Sequence, residues 1–419
     1  MKDVSRAVGY LLLQILIVAN CLAQVPAEGS LFDYITLKIS ALPSTEGNNY
    51  LDATNGQKEA WNDAMELVLQ NDLVSASEIL SGLGYRLVHF LETASNTKYS
   101  VIEREVTSQN HWGIYVISQN PCRDNVVIQC PHPMFDTNTG KQGIFTFLEL
   151  DAKALFIGGT HRCNSGSLSS CSGTTTACGA NGPFRISDQA HNADGIFQKT
   201  TEFLLQANPS TVFIQFHGFG KRAGDPNAIL SNGTRVTPQT DYISELIAEM
   251  NTEDPTLTFR AGHLDLDWER LLAFTNTQGR LINGSSEPCR TGSSVSQGQF
   301  IHVEQELAMF RSDQTGWVRW IEPMKRVFDC IKTEPLTSDQ FYHDGLIYPN
   351  PFDSEVTVQD SYYADLLMVY NATGQLILEL KPRNWKKIDL STLTSGIYYY
   401  QILDKNLSII SNGKMVKTK

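Results

Sequence analysis

The chain has 419 residues and a formal net charge of −12 at neutral pH. Its length exceeds that of one ordinary domain, and its hydrophobic fraction of 41% is enough for a sizeable core. The acidic balance argues against nucleic-acid binding, which requires a basic surface. We therefore expect a globular protein with more than one domain and no nucleic-acid partner.

The N-terminus predicts an export signal over residues 1–23. Basic Lys2 and Arg6 precede an apolar run from Leu11 to Val18, which is too short to span a bilayer. Small residues place the predicted cleavage after Ala23. No later apolar run is long enough to cross a membrane. We therefore expect a mature chain without a transmembrane segment that passes through the periplasm and is secreted or held at the cell surface.

The pattern of apolar residues predicts a helical region followed by an α/β domain. Residues 24–82 favour helices, because their apolar positions recur near the helical period. From Tyr85 short apolar strands follow one another, and beyond Gln142 helices and strands alternate. This alternation predicts an α/β fold over residues 83–330, with a mostly parallel sheet flanked by helices. Residues 331–347 are predicted to be a linker.

The cysteines indicate disulfides. Eight cysteines occur in the sequence, and the predicted cleavage removes Cys21. An oxidising destination favours disulfides, and the odd number that remains leaves at least one thiol unpaired. The remaining cysteines are Cys122, Cys130, Cys163, Cys171, Cys178, Cys289 and Cys330. No Cys-x-x-Cys pair occurs, so a zinc cluster built from cysteines is disfavoured.

Three of the predicted strands are followed at once by polar residues that could bind a metal or a substrate. The first strand leads to His132 and Asp136, the second to His161 and Arg162, and the third to His217. In open α/β sheets the ligand crevice lies beyond the carboxyl ends of the strands, so these side chains could converge. Two imidazoles and one carboxylate are the ligand set of a catalytic zinc.

A fourth apolar run supplies a candidate general base. Glu304 lies in the segment Phe300–Glu306, where a carboxylate could take a proton from water at the metal. Glu149 is an alternative acidic ligand, although it lies within a predicted helix. The alternative function is a non-catalytic secreted or cell-surface binding protein on the same fold. A serine hydrolase is disfavoured, because no Gly-x-Ser-x-Gly elbow occurs in the core.

The order of these motifs resembles that of zinc amidohydrolases of the metallocarboxypeptidase-like superfamily, among them N-formylglutamate amidohydrolases and poly-γ-glutamate hydrolases. The resemblance implies a zinc ion bound by His132, Asp136 and His217, with Glu304 as the general base. One departure is the acid, since the family's usual ligand is a Glu at a shorter spacing from its His. The implied activity is hydrolysis of an amide bond in a peptide, γ-glutamyl or cell-wall-type substrate.

The same resemblance assigns the remaining polar residues to the substrate. Arg162 lies where such enzymes often hold a substrate carboxylate, which its planar guanidinium can pair with two hydrogen bonds. His161 is expected to line the same substrate site.

The C-terminal segment, residues 348–419, contains short β-runs separated by turn residues, as in a small antiparallel sandwich. It opens with Tyr348-Pro349-Asn350-Pro351-Phe352 and closes on the basic run from Lys414 to Lys419. The order of its motifs resembles the type A C-terminal sorting domain of the type IX secretion route. This resemblance implies that the type IX secretion machinery is a partner of the chain.

Overall fold

The fold is taken from a computed structural model of the chain, which divides into two compact units, residues 1–332 and residues 333–419. The structure describes residues 25–330, 347–358, 365–372, 374–382, 384–403 and 409–418. The predicted signal peptide, residues 1–23, lies outside the described residues. So does all of the predicted linker except its last residue. Each unit is described by itself.

The large unit combines a long sheet with helices. Its strands are β1 (Val25–Gly29), β2 (Tyr85–Glu92), β3 (Thr97–Arg104), β4 (Ile114–Ser118), β5 (Arg123–Cys130), β6 (Ala152–Ile157), β7 (Val212–Phe219), β8 (Ala228–Ser231), β9 (Phe259–Ala261) and β10 (Phe300–Glu306). Its α-helices are α1 (Leu31–Ser40), α2 (Asn55–Leu69), α3 (Leu73–Gly82), α4 (Thr139–Leu150), α5 (Ile196–Ala207), α6 (Tyr242–Glu253), α7 (Thr277–Ile282), α8 (Gln314–Trp317) and α9 (Ile321–Val327).

The strands form one ten-stranded sheet in the order β1-β2-β3-β4-β6-β5-β7-β10-β8-β9. At its centre β6, β5, β7 and β10 run parallel to one another. The pairs from β2 to β6 by way of β3 and β4 are antiparallel, so the sheet is mixed around a parallel centre. The predicted α/β fold is confirmed, and the parallel centre places the carboxyl ends of four strands at one edge.

Successive side chains of the strands point to opposite faces of the sheet, where they belong to two separate apolar cores. On β5, Val126 and Ile128 pack with α1, α4, α6 and α9, whereas Val127 packs with α2, α3 and α5 on the other face. This alternation follows from the two-residue period of a strand. Each fully buried aliphatic or aromatic side chain contributes about 1.5–3 kcal/mol, so the two cores hold helices on both faces of the sheet.

Residues 25–82 belong to the same compact unit as the α/β region. The predicted helices form, and α2 begins with a capping box between Thr54 and Gln57. Strand β1 was not predicted; it pairs in parallel with β2, with Val25 opposite Val88. Its five residues include a proline and a glycine, both rare inside strands, so no periodic signal marked it.

Among the described residues, three disulfides cross-link the large unit, and two of them join segments 118 and 208 residues apart. They link Cys122 to Cys330, Cys163 to Cys178, and Cys171 to Cys289. The first closes a loop of 208 residues, and such cross-links stabilise a fold by restricting its unfolded chain. Of the cysteines that the structure describes, Cys130 is unpaired, and it is buried beneath α4.

The small unit contains two antiparallel sheets. Its strands are β11 (Ile347–Tyr348), β12 (Glu355–Val358), β13 (Leu366–Tyr370), β14 (Leu376–Leu380), β15 (Ile388–Asp389), β16 (Gly396–Leu403) and β17 (Ile409–Lys417). One sheet has the order β11-β12-β15 and the other β14-β13-β16-β17. Leu367, Val369, Tyr400 and Met415 lie in its apolar core. The predicted antiparallel β-domain is confirmed. Within the described parts of the chain, every helix is too short or too polar to span a bilayer.

Candidate metal centre

Two adjacent parallel strands, β5 and β7, bring His132 and His217 together. β5 and β7 lie side by side, with Ile128 opposite Ile214, so the chain after β5 and the last residues of β7 share one edge of the sheet. His132 lies in the turn after β5, and His217 lies on β7. This turn packs closely against the chain that follows β6. A Cβ at Gly158 would lie 2.4 Å from the carbonyl oxygen of Pro131, so the contact requires glycine.

A single turn of the chain brings the carboxylate of Asp136 next to His132. The backbone N–H of Asp136 donates to the carbonyl of His132 at 3.1 Å, as in one turn of a helix. As a result Asp136 Oδ2 lies 3.2 Å from His132 Nδ1 and also 3.2 Å from His217 Nδ1. All three side chains are buried. One potential ligand atom from each residue lies within 4.8 Å of the others.

The hydrogen-bond partners of the two rings define which nitrogen faces the acid. His132 Nε2 lies 2.8 Å from Asp188 Oδ1, and an ionised carboxylate can only accept, so Nε2 carries the proton. His217 Nε2 lies 2.8 Å from Gln215 Oε1, which also accepts. In the neutral rings both Nδ1 lone pairs therefore point at Asp136. Three acceptors facing one point fit a cation, and imidazoles held this way by outer partners are typical of zinc sites.

Burial and neighbouring charges shift the pKa of all three side chains. Burial alone would raise the pKa of Asp136, but its contacts with His132 and His217 hold that pKa well below its usual range. Burial lowers the pKa of His132, yet Asp188 and Asp136 raise it above its ordinary value. Burial lowers the pKa of His217 to about 4. At neutral pH Asp136 is therefore ionised and His217 is neutral, which are the protonation states of metal ligands.

Asp188 is a component of the site that sequence reasoning did not identify. This buried carboxylate accepts from His132 on Oδ1, and from Arg162 Nε at 2.9 Å and Arg162 Nη2 on Oδ2. His191 Nδ1 lies 2.9 Å from Asp188 Oδ1. Burial would raise the pKa of Asp188, but the charge of Arg162 holds it well below its usual range. The only sequence signal was a polar run before α5, which has no periodicity.

The two predicted substrate residues lie beside this group. Arg162 uses Nε and Nη2 on Asp188, and its Nη1 lies 3.4 Å from His132 Nδ1. The guanidinium also lies over the ring of Phe135, at 5.2 Å from its centroid. His161 packs edge-on against the same ring at 5.4 Å, and its Nδ1 accepts from the backbone of Cys163. Their roles in substrate binding remain predictions.

Glu304 lies on the strand next to His217. β10 pairs in parallel with β7, and the two residues are opposite each other in the register. Glu304 is buried, and its Oε2 has no hydrogen-bond partner. Burial, and then the charge of Asp136, raise the pKa of Glu304 to about 8. This carboxyl is therefore free to exchange a proton near neutral pH.

His302 is a second component that sequence reasoning did not identify. Its ring lies 4.4 Å from that of His217, and its Nε2 lies 3.8 Å from Glu304 Oε1. Burial keeps the pKa of His302 well below its ordinary value, so the ring is neutral. The motif around Glu304 contained His302, and the two-residue period of a strand places both side chains on the same face of β10.

Arg311 ties three segments of the centre together. Its guanidinium donates to the carbonyls of Gln305 at 2.9 Å, Thr137 at 2.7 Å and Phe219 at 3.3 Å. These carbonyls follow Glu304, Asp136 and His217 in the chain. A Cβ at Gly218 would lie 2.1 Å from the guanidinium carbon, so glycine allows this close packing.

The alternative acidic ligand lies away from the centre. Glu149 is on α4, where its half-exposed carboxylate lies 3.9 Å from Lys325. Asp136 is the acid that contacts both histidines. The geometry therefore favours Asp136 over Glu149 as the acidic ligand.

Comparison with known proteins identifies the C-terminal segment. Residues 346–417 match the family described as the secretion system C-terminal sorting domain. The match confirms the predicted sorting domain and indicates export by the type IX secretion system to the cell surface or the outside. A search of curated proteins found no significant match to the sequence.

Two solved structures show a distant similarity. One is N-formylglutamate amidohydrolase from Ralstonia eutropha JMP134, with 9% identity, a TM-score of 0.28, and coverage of 49% of this chain and 91% of that one. The other is a protein assigned as carboxypeptidase A from Shewanella denitrificans OS-217, with 11% identity, a TM-score of 0.28, and coverage of 62% of this chain and 66% of that one. Both names are those of hydrolases. TM-scores this low transfer neither a fold nor an activity.

Proposed function

We propose that the chain is a secreted zinc-dependent hydrolase that cleaves an amide bond in a peptide, γ-glutamyl or cell-wall-type substrate. One observation carries the proposal: the Nδ1 atoms of His132 and His217 lie at the same distance from one oxygen of Asp136. Both rings are held by acceptors on their other nitrogen, so in their neutral forms the two Nδ1 lone pairs and a carboxylate converge on one point. This donor set leaves a fourth zinc position for water or substrate.

The ligands would be His132, Asp136 and His217. When bound there, zinc lowers the pKa of a coordinated water toward about 7 and polarises a carbonyl group. Asp188 and Gln215 hold the two imidazoles in the orientation that this role requires. The oxidising destination indicated by the sorting domain does not threaten such a site, because none of its ligands is a thiol.

Glu304 would act as the general base and then as the general acid. Its buried carboxylate takes a proton from the attacking water and returns it to the leaving amine. A pKa raised to about 8 lies near neutral pH, which favours proton transfer in both directions. The unpartnered Oε2 is the atom that would hold this proton.

Arg162 and His161 would bind the substrate at the side of the centre. Arg162 is held by Asp188 through Nε and Nη2. Its Nη1, which lies 3.4 Å from His132 Nδ1, would be the donor to a substrate carboxylate or carbonyl. The exposed ring of Phe135, between the guanidinium and His161, offers an apolar contact to the same substrate group.

The proposal is tested by zinc content and amide hydrolysis on the same set of variants. His132→Ala and His217→Ala are expected to lose most of the zinc, because the remaining two ligands rarely hold a catalytic metal. Glu304→Gln is expected to retain zinc while turnover falls by roughly 10²–10⁴. The substrates are N-acyl amino acids, γ-glutamyl peptides and cell-wall peptides.

Glu149→Gln is the matched control, because it removes a carboxylate from the surface of α4. Its zinc content and turnover should equal those of the unchanged chain. Full zinc in either histidine variant would show that the site is misassigned. Zinc without hydrolysis of any substrate class would favour the non-catalytic binding protein.

A further inference from the structure

Gln215 lies next to His217 of the proposed metal centre, and both polar atoms of its side chain form hydrogen bonds. Its Oε1 accepts from His217 Nε2 at 2.8 Å and from Asn276 Nδ2 at 2.5 Å. Its Nε2 donates to Gln129 Oε1 at 2.9 Å and to Gln278 Oε1 at 3.2 Å. All of these side chains are buried, and a buried amide in the wrong orientation would leave its partners without hydrogen bonds.

A backbone N–H fixes one side of this amide. Gly279 N donates to Asn276 Oδ1 at 2.8 Å, and a backbone N–H has no alternative role. The oxygen of Asn276 is therefore turned toward α7, and its Nδ2 toward Gln215. Since Nδ2 can only donate, the atom of Gln215 that meets it must be Oε1, which is the atom that also contacts His217.

Two backbone carbonyls fix the other side. Gln278 Nε2 donates to the carbonyl of Gln189 at 2.9 Å, so the oxygen of Gln278 faces Gln215 Nε2. Gln129 Nε2 donates to Thr201 Oγ1 at 2.8 Å, and that hydroxyl donates to the carbonyl of Phe197 at 2.9 Å. The hydrogen bonds to Gln278 and to Gln129 therefore require the same orientation of the Gln215 amide as the hydrogen bond from Gly279 to Asn276 does.

We propose that Gln215 is a positioning residue that sets the tautomer of His217. Backbone groups around α5 and α7, acting through Asn276, Gln278 and Gln129, present a fixed acceptor to His217 Nε2. The ring is thereby kept with its proton on Nε2 and its Nδ1 free to bind the metal. Asp136 opposes this, because its carboxylate would accept a proton from Nδ1. The inference rests on the proposed metal centre for its purpose, but the tautomer can be measured without metal.

The first test is ¹⁵N NMR of the metal-free chain labelled in its 9 histidines, near pH 8, where His217 is neutral. The His217 signal is assigned by its loss in His217→Ala. We expect the Nε2-protonated form in the unchanged chain. Gln215→Met keeps the length of the side chain but offers no comparable acceptor, so the proton should move to Nδ1. Zinc affinity should then fall about 10–100-fold.

Gln215→Glu separates positioning from packing. Its carboxylate still accepts from His217, so the Nε2 tautomer should persist and zinc affinity should stay within a few-fold, although its bonds to Gln129 and Gln278 are lost. A merely structural role predicts the opposite, with Gln215→Glu at least as impaired as Gln215→Met. Gln198→Leu, in the same buried amide cluster but without contact to His217, is the control for general loosening.

The outcomes are distinct. An Nδ1-protonated His217 in the unchanged chain, or an unaltered tautomer in Gln215→Met, overturns the proposal. Equal loss of zinc in Gln215→Glu and Gln215→Met also overturns it. If the unchanged chain binds no zinc, the proposed function fails, whereas the tautomer measurement still decides the role of Gln215.

Discussion

The two units of the chain bury different kinds of side chain. The interior of the large unit contains histidines, carboxylates and a cluster of amides at one edge of its sheet. In the described residues between 347 and 418, the core is apolar, and Lys417 is the charged side chain that is buried. Because buried polar groups lower stability unless all of them are paired, their concentration in one place marks a site with a function.

The two units also differ in how their functional residues are arranged along the sequence. The large unit depends on atoms that are far apart in sequence and meet only when β5, β7 and β10 align. The small unit carries its signal in a continuous segment, which a family comparison finds directly. Changes should therefore separate cleanly: export should depend on the small unit, and metal binding on the large one.

The largest expected effect is loss of export. Deleting residues 340–419 should trap the chain in the periplasm, because the matched sorting segment is removed. The remaining chain should keep its zinc content and a cooperative thermal transition, since the large unit has its own cores. Cell fractionation and zinc analysis measure the two properties. Surface delivery of the truncated chain, or loss of its cooperative unfolding, would contradict the separation.

A smaller effect should be confined to the stability of the small unit. Leu367 is fully buried on β13 between β14 and β16. Leu367→Ala should lower the unfolding free energy of the small unit by about 2–5 kcal/mol, because it leaves a cavity. Urea unfolding and calorimetry should each show the loss of stability in the transition of the small unit only. Leu376→Ala, at a half-exposed position on β14, should change the same value by less than about 0.5 kcal/mol. A parallel shift of the large unit would show that the two share a core.

Much of the large fold could be predicted because its signal is local. Strands β5 and β7 each contain a short apolar run, at residues 126–128 and 212–214, and the alternation of helix and strand indicated a parallel centre. Strand β1 was missed, since an edge strand can form with few apolar residues when its partner supplies the hydrogen bonds. The direction of the outer strands β2 to β4 also carried no sequence signal.

Only some residues of the candidate site could be predicted from the sequence. His132, Asp136 and His217 follow or end strands, so their meeting at one edge could be expected, while their roles stay predictions. Asp188 could not be found, because it lies in an irregular loop and acts through contacts at long sequence distance. Gln215 carried a signal that was not used, namely an amide inside a strand whose neighbours are apolar and buried.

Asp188 gives a moderate expected effect within the large unit. Asp188→Asn keeps the size of the side chain but removes the charge that holds Arg162 and His132. Zinc affinity should fall about 10–100-fold, the usual loss when an outer partner of a metal-binding histidine is changed. A competition titration with a zinc chelator measures it. Asp194→Asn, at an exposed carboxylate paired with Lys58, is the control. Unchanged affinity in Asp188→Asn would show that His132 needs no carboxylate partner.

The smallest expected effect is a difference between the units in acid. Asp241, just before α6, accepts from Ser244 N at 3.2 Å and from His263 Nε2 at 2.8 Å. Burial alone would raise the pKa of Asp241, but the hydrogen bonds from Ser244 and His263 lower it below the ordinary value. A lowered carboxyl pKa stabilises the fold above the unfolded value of about 3.9, and this contribution is lost as pH falls through the folded pKa.

Asp241→Asn keeps a good helix cap but removes this titration, so it should lower the stability of the large unit by up to about 1 kcal/mol at pH 6. The difference from the unchanged chain should shrink as pH falls below about 4, because the unfolded carboxyl takes up a proton there while the folded one, whose pKa is lowered, does so only at lower pH. Urea midpoints at several pH values measure it, with Asp63→Asn on the exposed face of α2 as the control. The transition of the small unit should be the same in both chains. A stability difference that stays constant down to pH 3 would show that Asp241 acts through shape and not through charge.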